Sequence, residues 1–211
     1  MQSVVLIDYG SGNLRSAEKA LIAAAGDGAR VVATDDPDII RRADRVVLPG
    51  VGAFAACMAA LAERPGVIEA MTEAVRGRGA PFLGICVGMQ LLATRGLEFG
   101  EARGLDWIGG DVRALAPSEP RFKVPHMGWN ALVDVAGHPL FAGLGDGAHM
   151  YFTHSFAMDV ADPADVAART DHGGVFTAAV AKNNIAGVQF HPEKSQGPGL
   201  GLLANFLEWR P

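Results

Sequence analysis

The chain has 211 residues, of which 49% are hydrophobic and 27 are glycine, with a formal net charge of −5. This length suits one α/β domain that buries its own core. The acidic balance argues against nucleic acid or an anionic membrane surface as a partner. Two cysteines make no disulfide framework. The longest nearly apolar run, Ala53 to Ala62, is too short to span a bilayer. Met1 leads into a strand without a basic leader, so a cytoplasmic protein is expected.

Ser3 to Ile7 reads as a strand covered on both faces. The loop Asp8–Asn13 follows, then an amphipathic helix from Leu14 to about Ala25. Gly10 and Gly12 begin a dinucleotide fingerprint, but its third glycine would fall at Arg15, so that reading is rejected. Arg30 to Thr34 is a strand, and Asp35-Asp36 caps a short helix from Pro37 to Ala43. The strand Arg45–Leu48 ends in Pro49-Gly50-Val51-Gly52, ahead of a helix from Ala53 to Glu63 that carries Cys57 as an inert packed thiol. Pro65-Gly66 breaks the chain, a helix runs to about Arg76, and Pro81 to Ile85 is the next buried strand. Repeated βα units with right-handed crossovers predict a parallel sheet wrapped by helices.

Beyond Arg95 the pattern changes to short β-prone runs at Trp107–Leu115, His126–Val135, Met150–Val160 and Val166–Thr170. Phe176–Ala181 and Ile185–Phe190 flank Lys182-Asn183-Asn184, a hairpin signal. The second half therefore adds antiparallel strands in or beside the sheet. Gly199 to Trp209 closes the chain as a helix, and residues 1–211 read as a single domain.

The chemistry centres on Gly84-Ile85-Cys86-Val87-Gly88, between a buried strand and the start of a helix at Met89–Ala93. This is a nucleophile elbow with sulfur in place of oxygen. Its glycines serve a turn too tight for Cβ atoms, and the helix start favours thiolate. A second constellation is His191-Pro192-Glu193. Proline holds His191 extended, and residues i and i+2 of an extended chain share a side. Glu193 can then orient the imidazole, the third-member role of a triad. Amide hydrolysis also needs N–H donors for the oxyanion. Val87 and the strand end Gly50-Val51-Gly52 are the candidates, and the glycines there would let a peptide plane turn its N–H toward or away from the site. The six histidines show no metal-binding spacing, and no metal or cofactor is expected.

The elbow, the Pro-Gly-Val-Gly loop and His-Pro-Glu together resemble the class I (triad) glutamine amidotransferases. More narrowly, Asp8-Tyr-Gly-Ser-Gly-Asn-Leu14, Pro125-His-Met-Gly-Trp-Asn130, Tyr151-Phe-Thr-His-Ser155 and His191-Pro-Glu-Lys-Ser195 resemble the glutaminase subunits of imidazole glycerol phosphate synthase. The resemblance implies a three-layer, flavodoxin-like α/β fold. It implies Cys86 as nucleophile, His191 as acid–base, Glu193 as its orienter, and glutamine contacts from Gln90 and Ser155. It further implies a (β/α)8-barrel cyclase partner that receives ammonia and releases imidazole glycerol phosphate and an aminoimidazole carboxamide ribotide. Trp129 and Lys194 would sit at that docking seam, although spacing alone leaves Trp129 equally a core residue. Phe156 departs from the tyrosine usual after His-Ser and is not counted as a polar contact. The rival readings are the glutaminase of another synthase and a Cys–His peptidase or γ-glutamyl hydrolase.

Overall fold

A computed structural model describes all residues, Met1–Pro211. The first half alternates as the pattern predicts: β1 (Gln2–Ile7), α1 (Leu14–Ala25), β2 (Ala29–Thr34), α2 (Pro37–Arg41), β3 (Arg45–Gly50), α3 (Phe54–Ala62), α4 (Val67–Thr72), β4 (Phe82–Cys86) and α5 (Val87–Gln90). The second half holds β5 (Arg95–Gly96), β6 (Ala102–Arg103), β7 (Gly110–Ala114), β8 (His126–Ala131), β9 (His149–His154), β10 (Phe156–Val160), β11 (Val166–Asp171), β12 (Val175–Lys182), β13 (Ile185–Val188) and α6 (Gln196–Glu208).

Seven strands form the main sheet in the order β11-β12-β13-β4-β3-β1-β2. From β13 to β2 all neighbours run parallel, while β11 and β12 are antiparallel additions. Every residue of β3 and β4 is buried, as central strands covered on both faces require. Because β4 pairs with β3 on one side and β13 on the other, Gly50 lies opposite Cys86 and Val188 opposite Ile85. The carboxyl ends of three strands therefore converge, the usual ligand edge of an open α/β sheet.

The remaining strands form a four-stranded side sheet, β10-β7-β5-β6, and the hairpin β8-β9. The run Met150–Val160 is thus two strands that part at Ser155, whose carbonyl accepts the Leu115 N–H (2.8 Å). Likewise His126–Val135 ends its ladder at Ala131, and Val133 only bridges Arg169. The helix expected over Met89–Ala93 is a single turn, after which the Leu92 and Ala93 N–H groups close tighter bonds to Met89 and Gln90. Helix α6 starts at Gln196, ahead of the predicted Gly199. Its end is tied to the sheet by buried Arg45, whose Nη2 donates to the Trp209 carbonyl (2.7 Å).

Candidate active site

Cys86 ends β4 with φ 55° and ψ −114°, backbone that costs a residue with a side chain about 1–3 kcal/mol. The neighbouring glycines make the turn possible. A Cβ on Gly84 would lie 2.6 Å from the Gly88 carbonyl oxygen, and one on Gly88 would overlap the Leu48 carbonyl oxygen of β3. The elbow is therefore locked against the adjacent strand by closeness that only hydrogen allows.

His191 follows β13, the other neighbour of β4. Its N–H donates to the Tyr151 carbonyl (2.9 Å), and its own carbonyl accepts the Ser195 hydroxyl (2.7 Å). Its backbone is extended, as a residue before proline should be, but Pro192–Lys194 coils into one 3-10 turn. That turn, rather than strand alternation, brings Glu193 beside the ring: Nδ1 to Oε1 is 2.8 Å, and both side chains are 2% exposed. A carboxylate can only accept here, so Nδ1 carries the proton and Nε2 is left for chemistry. Nε2 is buried without a hydrogen-bond partner. Burial pushes the imidazolium pKa down, but Cys86 and Glu193 on its two sides outweigh this and raise it to about 9.

Cys86 and His191 line a cavity of about 320 Å³ together with Val51, Gly52, Val87, Gln90, Glu98, Ser155 and Lys194. A larger hollow of about 690 Å³, beside Arg95 and Asp106, holds neither a cysteine nor a histidine, so chemistry rather than volume assigns the site. No three His, Cys, Asp or Glu side chains converge to hold a metal, and no helix is long and apolar enough to cross a membrane.

Taken as a whole, the chain is similar to known proteins. The family model for class I glutamine amidotransferases matches residues 5–209. The chain belongs to the class I glutamine amidotransferases. It is 65% identical, over the whole of both chains, to the imidazole glycerol phosphate synthase subunit HisH of Caulobacter vibrioides. Its identity to the Rhodospirillum rubrum HisH subunit is 55%, over 99% of each chain. A solved glutamine amidotransferase superposes with TM-score 0.71 at 20% identity, over 97% of each chain. One from Thermotoga maritima superposes with TM-score 0.64 at 18% identity, over 98% of this chain and 96% of that one. At such identities the two structures speak for the fold alone.

In this amidotransferase the Val51 N–H, one of the donors expected for the oxyanion, is turned to Ser11. The Val51 carbonyl accepts from Ser11 Oγ (2.8 Å) and from Cys57 Sγ (3.2 Å), while the Val51 N–H donates to Ser11 Oγ (3.4 Å). Cys57 is buried as expected, and its thiol donates to that carbonyl. Gly52, with φ 96°, borders the cavity, and Gly50 stands behind it beside Cys86. Val87, first residue of α5, has no intrahelical acceptor for its N–H and remains an available donor.

Gln90 and Ser155 both border the cavity, but Gln90 Nε2 is committed to the Phe156 carbonyl (2.9 Å) and Gln189 Oε1 (2.9 Å). Phe156 thus enters the site through its backbone despite lacking a hydroxyl. Trp129 is 47% exposed on β8 and meets Tyr151 edge-on at 6.0 Å, and Lys194 Nζ lies 5.7 Å from the same ring. The two predicted seam residues therefore share one surface with Tyr151 between them. Three site residues escaped the sequence reading. Glu98 lies in a loop without periodicity, and one of its oxygens caps α3 at the Phe54 N–H (2.8 Å). His154 and Gln189 sit in apolar runs that read as core, although a buried polar side chain just before Phe190-His191 was a usable signal.

Proposed function

We propose that this chain is the glutaminase subunit of an imidazole glycerol phosphate synthase, with Cys86, His191 and Glu193 as its catalytic triad. The observation that carries the proposal is the strained Cys86 elbow, set beside a buried His191–Glu193 pair whose Nε2 has no other partner. Glutamine enters with its α-ammonium toward the Glu98 carboxylate, and Ser155 and the Gln90 side-chain oxygen complete the amino-acid end. The Cys86 thiolate attacks the side-chain carboxamide carbon, and the carbonyl electrons move onto oxygen, facing the Val87 N–H. Protonated His191 gives its Nε2 proton to the leaving nitrogen, the C–N bond breaks, and ammonia departs. Water, deprotonated by His191, then attacks the thioester. The C–S bond breaks, glutamate leaves, and the Cys86 thiolate beside protonated His191 is restored.

Ammonia would pass to a (β/α)8-barrel cyclase seated on the face that holds Met127, Trp129 and Lys194. Met127 and Trp129 are 65% and 47% exposed there, and large exposed apolar side chains of this kind are binding anchors. With Val51 turned to Ser11, the isolated chain idles, and docking would turn the peptide inward. Full-length likeness to the HisH subunits favours this reading over a peptidase. Acid-quenched turnover analysed by peptide mass spectrometry tests it. A γ-glutamyl adduct on the Cys86 peptide is expected, and turnover with that cysteine never acylated would refute the assignment.

A further inference from the structure

We infer that Gln189 positions the Cys86 sulfur, as the donor at one end of a buried hydrogen-bond chain whose other end lies on the β8-β9 hairpin and whose two runs meet at the Phe156 carbonyl. The inference rests on Cys86 being the nucleophile. The direction of the chain follows from the Phe156 carbonyl, which can only accept. His154 Nδ1 lies 2.8 Å from it and so carries a proton, which leaves His154 Nε2 bare. Nε2 then accepts from His126 Nδ1 at 3.1 Å, leaving His126 Nε2 bare in turn. That nitrogen accepts from Asn130 Nδ2 at 3.2 Å. Asn130 is itself held in one orientation, since its Nδ2 also donates to the Asp171 carbonyl (2.8 Å) and its Oδ1 accepts the Ala131 N–H (2.9 Å).

On its other lone pair the Phe156 carbonyl accepts from Gln90 Nε2 (2.9 Å). The second Gln90 hydrogen goes to Gln189 Oε1 (2.9 Å). Gln189 is thereby fixed with Nε2 toward Cys86 Sγ, 3.7 Å away. A flipped Gln189 amide would set two NH2 groups against each other and face its oxygen to a thiolate. Gln189, His126, His154 and Gln90 are 0%, 3%, 7% and 4% exposed, so bulk water does not substitute for these bonds. Burial, the largest influence, joins repulsion from neighbouring histidines to hold His126 at about 3 and His154 at about 4. Both rings therefore stay neutral, with one donor and one acceptor each. The chain also gives His126 and Asn130 of Pro-His-Met-Gly-Trp-Asn a task that packing alone would not require.

The test uses the full chain and its Gln189→Met, His154→Phe and double variants. It measures iodoacetamide alkylation of Cys86 by peptide mapping, and glutaminase kcat and KM. Gln189→Met should slow alkylation and kcat about tenfold, on the scale of one hydrogen bond to a charged group, with KM within about twofold. His154→Phe should slow both by about threefold, and the double variant should be no slower than Gln189→Met, the non-additivity of a shared chain. Wild-type alkylation in Gln189→Met, or losses that multiply in the double variant, would overturn the inference. Should Gln189→Met not fold, His154→Phe, His126→Phe and their double variant decide: equal, non-additive losses support the chain, and wild-type rates overturn it. Separately, glutaminase activity that survives complete alkylation of wild-type Cys86 would remove the nucleophile assignment itself.

Discussion

Glu193→Gln keeps the shape of the side chain and removes the charge that faces His191 Nδ1 at 2.8 Å. Burial opposes the His191 imidazolium, and Cys86 and Glu193 together hold its pKa at about 9 against 6.5 for the free side chain. At roughly 1.4 kcal/mol per pH unit, that rise is linked to about 3 kcal/mol of folding stability. The folded value lies above the unfolded one. The stabilisation is therefore complete below about pH 6.5 and disappears as pH rises through about 9. Cys86 is the larger of the two influences and Glu193 the next, so the variant should lose about 1–2 kcal/mol near pH 6 and almost nothing near pH 10. For a domain of this size that is a Tm deficit of about 2–8 °C, visible by circular dichroism. Turnover should fall by about 10²–10³-fold, less than in His191→Ala, because the orienting group transfers no proton itself. A Tm deficit that grows with pH, or wild-type turnover, would refute the reasoning.

Gly88→Ala would drive a Cβ into the Leu48 carbonyl oxygen inside the central sheet. It should cost about 4 kcal/mol or more, read as a collapsed melting temperature. Glu98→Gln should raise the glutamine KM about 10- to 100-fold with a smaller change in kcat, the loss of a charged contact. An unchanged KM would leave Glu98 as only the cap of α3. Adding the cyclase with its nucleotide should raise glutaminase turnover about 10²–10³-fold, the worth of one oxyanion donor. Trp129→Ala or Lys194→Ala should blunt that rise without lowering Tm.

The parallel half of the fold was legible because each βα unit announces itself locally: an apolar run, a glycine or proline stop, then an amphipathic face. The elbow and the place of His191 were legible for the same reason, since Gly84, Gly88 and Pro192 shape the backbone on which Cys86 and His191 stand, but the 3-10 turn that seats Glu193 was not. The parting of Met150–Val160 at Ser155 was not, because β-propensity does not say which sheet a strand joins. Nor was Glu98, whose place depends on the turn after β5 and the start of α3, elements apart in sequence. Gln189 and His154 were hidden by burial, since a polar residue in an apolar run shows its partners only once the strands are paired. The orientation of Val51 depends on the side chains of Ser11 and Cys57, and no sequence pattern couples those three positions.

The most direct test of the central claim compares the two nitrogen sources in the assembled synthase carrying Cys86→Ala. Formation of imidazole glycerol phosphate from glutamine should fall by about 10⁴-fold or more, while formation from added ammonium salt continues at the wild-type rate. Equal loss of both in a well-folded complex, or glutamine-driven synthesis that persists, would contradict the account.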